Sequence, residues 1–316
     1  MTVPVSLFRV LVLSCLITFN SCSTQGKNPD QPEYRDVILT NDKPLVVGTN
    51  GKIDYYEAAG NAASLNINTT RNLNSVIAIE DMIFVVGDGG TIFYSDNGQQ
   101  FSLAETGMKE NINGITLFKN LLVAGADNGI ILISLDGKTW DGLTVRVRGN
   151  IASVSSNENS CYGVTDAGEI ISSDDGLNWK VTDYNKEYAG YARACVFKKV
   201  IAINDRIAVT GEYEDGSPAV LFSSLGSVWS ERKLNYEDES GQYSMLENAV
   251  NDIAYDKEGD QFLLACDDGE VMILPSCSKC NEMRYISDKD IFGIIVSGNT
   301  MFLVGEDYSF QNSRLR

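Results

Sequence analysis

Apolar residues in this chain come in short runs, and each run ends at a glycine, asparagine or aspartate. One stretch shows the grammar. Asn111 to Leu117 is a β-rich apolar run and Leu121 to Gly125 a second. Asp127-Asn128-Gly129 separates the latter from a third run, Ile130 to Ser134, and Asp136-Gly137-Lys138-Thr139-Trp140 leads into a fourth. Runs of this length bounded by turn residues predict strands, and Asn-Gly accepts the positive φ of a tight turn. The phrase recurs about every 39 residues, most clearly at Val85 to Phe101, Val123 to Trp140 and Tyr162 to Trp179. A fixed period near 40 built of short strands and glycine turns predicts an all-β chain folded as a β-propeller, each unit a blade of four antiparallel strands.

The first-strand pattern appears at Val37-Ile38-Leu39, Leu73 to Ile77, Ile112 to Leu117, Ile151 to Val154, Val196 to Ile203, Val250 to Ile253 and Ile291 to Val296, which predicts seven blades. The second strand closes on Gly48, Gly87, Gly125, Gly163, Gly211 and Gly305, with Cys266 in the sixth slot. The last copy is short after Gly305, so an N-terminal strand is expected to complete that sheet and remove an exposed edge.

The second turn of the unit pairs a glycine with an aromatic three residues on: Gly98 with Phe101, Gly137 with Trp140, Gly176 with Trp179, Gly226 with Trp229. The copy from Ser172 to Trp179 matches Ser-x-Asp-x-Gly-x-x-Trp, the Asp-box of bacterial neuraminidase-type repeats. Ser and Asp side chains there can bond the loop's own N–H groups while the aromatic packs between sheets, a structural device rather than a calcium or sugar site.

The N-terminus follows different rules. Residues 1–22 read as a lipoprotein signal: Arg9, an apolar stretch from Leu7 to Phe19, then Ser21-Cys22-Ser23, with Cys22 the expected lipidation site. Residues 23–35 read as a polar tether and 36–316 as the propeller, so the chain is expected to be exported and held at the outer membrane or cell surface by lipid alone. With 25 basic and 43 acidic side chains, a net charge of −18, it is a poor partner for nucleic acid. There is no histidine, which excludes serine–histidine catalysis and leaves no set of zinc ligands; no metal or cofactor is expected. Cys277 and Cys280 fall where blade six should have its glycine and aromatic, and a structural disulfide between them is expected in an oxidising compartment. Cys161, Cys195 and Cys266 lie on strands and read as buried apolar side chains.

The unit Val-Val-Gly-x-x-Gly-x-Ile-x-x-Ser-x-Asp-x-Gly-x-x-Trp resembles the repeat of the photosystem II stability and assembly factor family from about residue 36 onward. The resemblance implies a seven-bladed Asp-box propeller serving as an assembly scaffold, with a basic patch on one face. This chain is acidic overall, but cations recur near first-strand starts, at Arg35, Arg71, Arg148 and Arg193. Strand direction places them on the face where the turn between strands two and three lies, and there they form a candidate site for a carboxylate, a phosphate or an acidic loop. Two insertions, Asp183 to Ala192 and Asn235 to Asn248, connect fourth to first strands, carry five tyrosines, and are expected on the same face. The resulting expectation is a non-enzymatic, surface-tethered scaffold for a protein or glycan. The alternative is a glycan-active enzyme of the sialidase-like type, which needs a tyrosine and paired carboxylates at the channel mouth.

Overall fold

A computed structural model describes residues 31–57, 61–188, 193–238, 240–276 and 280–315. Their strands form seven antiparallel sheets in a ring. The inner strands are Tyr34–Thr40, Leu73–Ile79, Ile112–Phe118, Ile151–Ser156, Cys195–Ile203, Val250–Asp256 and Ile291–Ser297. Each lies beside the inner strands of its two neighbours, and Tyr34–Thr40 lies beside Ile291–Ser297, so the ring is closed. Among the described residues no helix is long and apolar enough to cross a membrane.

Six sheets have four strands in sequence order. The seventh has three among the described residues: Ile291–Ser297, Thr300–Gly305 and Ser309–Arg314. Described N-terminal residues do not extend that sheet at its outer edge. Glu33 makes an isolated bridge to Glu306 instead, and the Asp307 N–H donates to the Pro32 carbonyl. Side chains do the closing. Tyr56 stacks on Phe310 with ring centroids 3.8 Å apart, and Tyr34 packs against Tyr308 at 5.1 Å. Val37, Val46 and Val304 bury the rest of this seam, and the Tyr34 hydroxyl donates to Asp54 beneath it. The first strand begins at Tyr34, two residues before the expected start of the propeller.

Blade-to-blade contact rests on a repeated irregularity. In every inner strand the register slips by one residue: between Leu73 and Ser75, for example, and between Val250 and Asp252. Such a bulge turns one side chain out of the pleat. In blades two, three and six that side chain is an asparagine. Asn113 Nδ2 donates both to Asp127 of its own turn and to the Ile151 carbonyl of the next blade, each at 2.9 Å. Asn74 and Asn251 repeat the arrangement with Asp88 and Ile112, and with Asp267 and Ile291.

The second turns cap themselves. Ser134 Oγ accepts from Gly137 N–H at 2.8 Å, and Asp136 accepts from the N–H groups of Lys138 and Thr139 at 2.8 and 3.0 Å. In blade four the capping residues are Ser173 and Asp175, one position later than the Ser172 and Asp174 of the pattern read from the sequence. Asp174 instead accepts from Ser160 Oγ at 2.8 Å. Each tryptophan packs between its own sheet and the preceding one: Trp140 against Phe84 and Ile92, Trp179 against Phe118, Trp229 against Tyr162 and Ile170.

Neither insertion is a free loop. Asp183 caps a single helical turn, Tyr184–Glu187, and Tyr184 is buried, stacked on Tyr188 and edge-on to Phe197. The second insertion is a hairpin, Asn235–Glu237 with Tyr243–Met245, whose Tyr236 bridges Asn281 along the outer edge of blade six. Leu234 and Leu246, at its base, are buried between blades five and six.

Candidate functional site

The turn between strands two and three does share a face with the first-strand starts. Asp88 N–H donates to the Asn72 carbonyl at 2.9 Å, and Asp127, Asp166 and Asp267 repeat this with Asn111, Asn150 and Ala249. The four candidate arginines stand on this face in blades one, two, four and five, and none of them shares a partner with another. Arg35 pairs with Glu33 at 2.8 Å and bonds Asn74 in blade two. Arg148 pairs with Glu169 at 3.2 Å and Asp183 at 2.8 Å. Arg193 pairs with Asp215 at 2.9 Å and lies over the Tyr213 ring at 3.6 Å. Arg71 differs: its Nη1 donates at 2.9 Å to the Gly89 carbonyl and to Thr91 Oγ1, both neutral. The aspartates of the same face, Asp88, Asp127, Asp166 and Asp267, are bonded by asparagines.

Inside the channel the bulges place a second set of charges. The residue after the slip faces the axis, and in blades one, five and six it is Asp36, Lys199 and Asp252. Lys199 Nζ lies 3.3 Å from Asp252. Asp36 accepts from Ser75 Oγ at 2.7 Å and from Val76 N–H at 2.9 Å; Asp252 accepts from Ile294 N–H at 3.0 Å. Burial works against the lysine charge, but Asp252 and Asp36 outweigh it and hold the pKa above the ordinary lysine value. These contacts link blades one and two, and blades five, six and seven, while burial holds the Asp252 carboxyl above its ordinary range. Two tyrosines bonded to carboxylates lie elsewhere: Tyr34 with Asp54 in the ring-closing seam, Tyr255 with Asp260 at the turn between the first two strands of blade six.

An open groove runs between blades five and six. It is a hollow of about 620 Å³ lined by Arg206, Phe222, Val228, Phe262, Leu274 and Arg232 among others, within the range of binding sites. A second hollow of about 500 Å³ continues it past Glu231 and Arg232 to Tyr243 and Cys280. Phe222 and Phe262 meet edge to face at 4.9 Å and form the floor. Arg206 is tied to Asp260, to Tyr255 and to Ser276, and this contact, with the Tyr255 hydroxyl, holds the Asp260 carboxyl down to about 2. Arg232 donates only to the Pro275 carbonyl at 3.1 Å and Asn281 Oδ1 at 3.3 Å.

The sequence did carry a signal for this groove. In blade five Leu225 and Val228 stand where blade three has Asp136 and Thr139, and both are exposed, 79% and 72%. Cys280 is exposed at the groove's upper end, and Cys277, its expected partner, lies outside the described residues, as does Cys22. Cys161, Cys195 and Cys266 are buried and unpaired; burial pushes the Cys161 and Cys195 thiols up to about 12.

No protein-family model matches the chain, and no curated protein does. Solved structures do. YCF48 bound to D1 peptide superposes with a TM-score of 0.66 at 14% identity, covering 90% of this chain and 94% of that one. YCF48 from Cyanidioschyzon merolae gives 0.65 at 13%, covering 90% and 95%. The WD40 β-propeller domain of Doa1 gives 0.67 at 13%, covering 90% and 94%. The chain is therefore a seven-bladed β-propeller structurally similar to YCF48, a photosystem II assembly factor, and identities this low establish the fold alone.

Proposed function

We propose that this propeller is a non-enzymatic binding scaffold of the Asp-box type, held at the cell envelope by lipid on Cys22, that captures a segment of another protein. The observation that supports the reading most is the contrast between its two concavities. The channel charges face one another, whereas the groove between blades five and six presents an aromatic floor and, among the described residues, a guanidinium, that of Arg232, paired with no carboxylate although Asp205 and Glu231 also line it. A rigid closed ring with an open groove suits recognition. The likeness to YCF48 bound to D1 peptide adds that a propeller of this architecture can hold a peptide.

The experiment is capture of envelope proteins by the purified mature chain, with identification by mass spectrometry. Capture of a defined partner set, lost when the surface is altered, supports the scaffold; a protein that retains nothing over an unrelated propeller overturns it. In the same preparation Cys22→Ala should move the protein from membranes to the soluble fraction, and alkylation should leave Cys277 and Cys280 unmodified if they form a disulfide.

A second docking face has one observation in its favour. Among the described residues Arg71 is bonded only to neutral groups, so its charge is available to an acidic ligand, with Arg35, Arg148 and Arg193 around the same rim. Reversing Arg71 and Arg148 together tests this face separately. Loss of capture assigns the partner to the rim; unchanged capture removes it. A glycan ligand or sialidase-like activity is the competing reading, and sugar release abolished by removing one carboxylate would favour it.

A further inference from the structure

We infer that the groove between blades five and six docks an extended peptide that carries a carboxylate within a few residues of a bulky apolar side chain. The inference rests on the scaffold reading and adds the place and the chemistry of the ligand.

The first ground is a turn that has given up half of its own cap: Ser223 Oγ still accepts from Gly226 N–H at 2.8 Å, but the aspartate position is lost. In blade four Asn178 Nδ2 donates to Asp175 at 2.8 Å, and in blade three Thr139 Oγ1 lies 3.3 Å from Asp136. These pairs hold the loop. Blade five replaces both members with Leu225 and Val228, which cannot cap and stand in solvent. The tryptophan changes with the turn. Trp140 and Trp179 donate to the carbonyls of Gly137 and Gly176 at 3.1 and 3.2 Å, but the buried Trp229 Nε1 has no acceptor. A locally unfavourable arrangement at one copy of a repeat marks a surface shaped by something other than stability.

The second ground is charge. The chain carries a net charge of −18, yet Arg232 and Lys233 sit side by side on the groove with no carboxylate partner among the described residues. Glu231 is drawn the other way, toward Arg193 at 3.7 Å. The third is the free edge. Tyr243–Met245 pairs only with Asn235–Glu237 among the described residues, and Tyr243 and Met245 are 67% and 65% exposed at the groove's upper end. An extended peptide has backbone groups to offer such an edge, an apolar side chain to lay on Phe222, Leu274 and Val228, and a carboxylate to meet Arg232.

The test uses the full mature protein and a fluorescein-labelled octapeptide set in a Gly-Ser background. Phe or Leu is walked through the positions, with Glu or Gln at a second position, each as free acid and as amide, and anisotropy reports binding. Binding is expected for members with a carboxylate within about three residues of the apolar side chain; it should weaken about tenfold or more in Val228→Asp and Arg232→Glu and stay unchanged in Lys43→Glu on blade one. Val228 is exposed, so the thermal midpoint of Val228→Asp should match the parent and separate lost docking from lost folding. Loss on amidation assigns a C-terminal carboxylate, and loss on Glu to Gln assigns an acidic side chain. If no member binds better than the Gly-Ser control, or if both groove variants bind as the parent does, the inference falls. It also falls, in favour of a second copy of this chain, if sedimentation shows self-association that Val228→Asp abolishes. Envelope capture that persists in both groove variants would overturn the groove and leave the scaffold standing.

Discussion

The N–H groups of Thr139 and Lys138, helped by the Ser134 and Thr139 hydroxyls, hold the exposed Asp136 carboxyl down to about 2. The unfolded chain should titrate this group near 3.9, a typical value for aspartate. The folded pKa is the lower one, so the contribution of Asp136 to stability is complete above about pH 4 and is lost as pH falls toward about 2. A carboxyl titration followed by NMR should give a midpoint near 2, and Asp136→Asn should flatten the acid limb of the stability profile. A midpoint near 4 would mean the turn opens in solution. The tryptophans beside these turns differ in burial. Trp140 is 7% exposed, whereas Trp179 is half-buried. Trp140→Ala should therefore cost about 3–5 kcal/mol, a typical large core truncation, and Trp179→Ala only about 2 kcal/mol by area. Denaturant midpoints order the two, and equal losses would contradict the packing.

Single elements were legible where the repeat is regular and not where it is interrupted. Leu121 to Gly125 and Ile130 to Ser134 were read as strands, and they are Leu121–Ala126 and Ile130–Ser134. The insertions were read only as connections from fourth to first strands on the arginine face. Tyr184 instead enters the core shared by Tyr162, Phe197 and Trp229, since a capped helical turn aims it inward. The bulge asparagines were also missed, for alternation within a strand says nothing about a slip of one residue. Asn113 holds two partners in two blades, so Asn113→Ala should cost about 1–3 kcal/mol by leaving Asp127 and the Ile151 carbonyl short of a donor. Blade four naturally has Ala152 at this position and no such clamp. Equilibrium unfolding of the variant checks the value; an unchanged midpoint would show that water replaces the amide.

At the scale of the ring, Lys199 is set between carboxylates from two other blades. Removing it leaves Asp36 and Asp252 facing the axis without a counter-charge. Lys199→Ala should destabilise by about 3 kcal/mol, the low end for breaking a buried pair because the channel admits some water. Adding Asp252→Ala to it should recover part of the loss, and a double-mutant cycle measures the coupling. Additive losses would mean that the ion pair contributes nothing. Closure is the other global property. It relies on Tyr34, Tyr56, Tyr308 and Phe310 across the first and seventh blades, with Glu33 bridging to Glu306, while the seventh sheet has three described strands.

The sequence by itself determined the period, the blade count and the slot of each turn, because these follow from local chemistry: alternation for the pleat, glycine for positive φ, a short polar side chain to cap a loop. It also placed the rim arginines on one face, since strand direction alternates whatever the packing. Only the tertiary structure decided whether a charge is free. Arg148 and Arg193 find Asp183 and Asp215, 35 and 22 residues along the chain, in pairings that no local pattern encodes. The groove is of the same kind. Val228 and Leu274 read as ordinary apolar residues in two different repeats, and they line one hollow because adjacent blades set them opposite one another. A repeat specifies its own blade through contacts a few residues apart; a site between blades is specified by what two repeats place opposite one another in space.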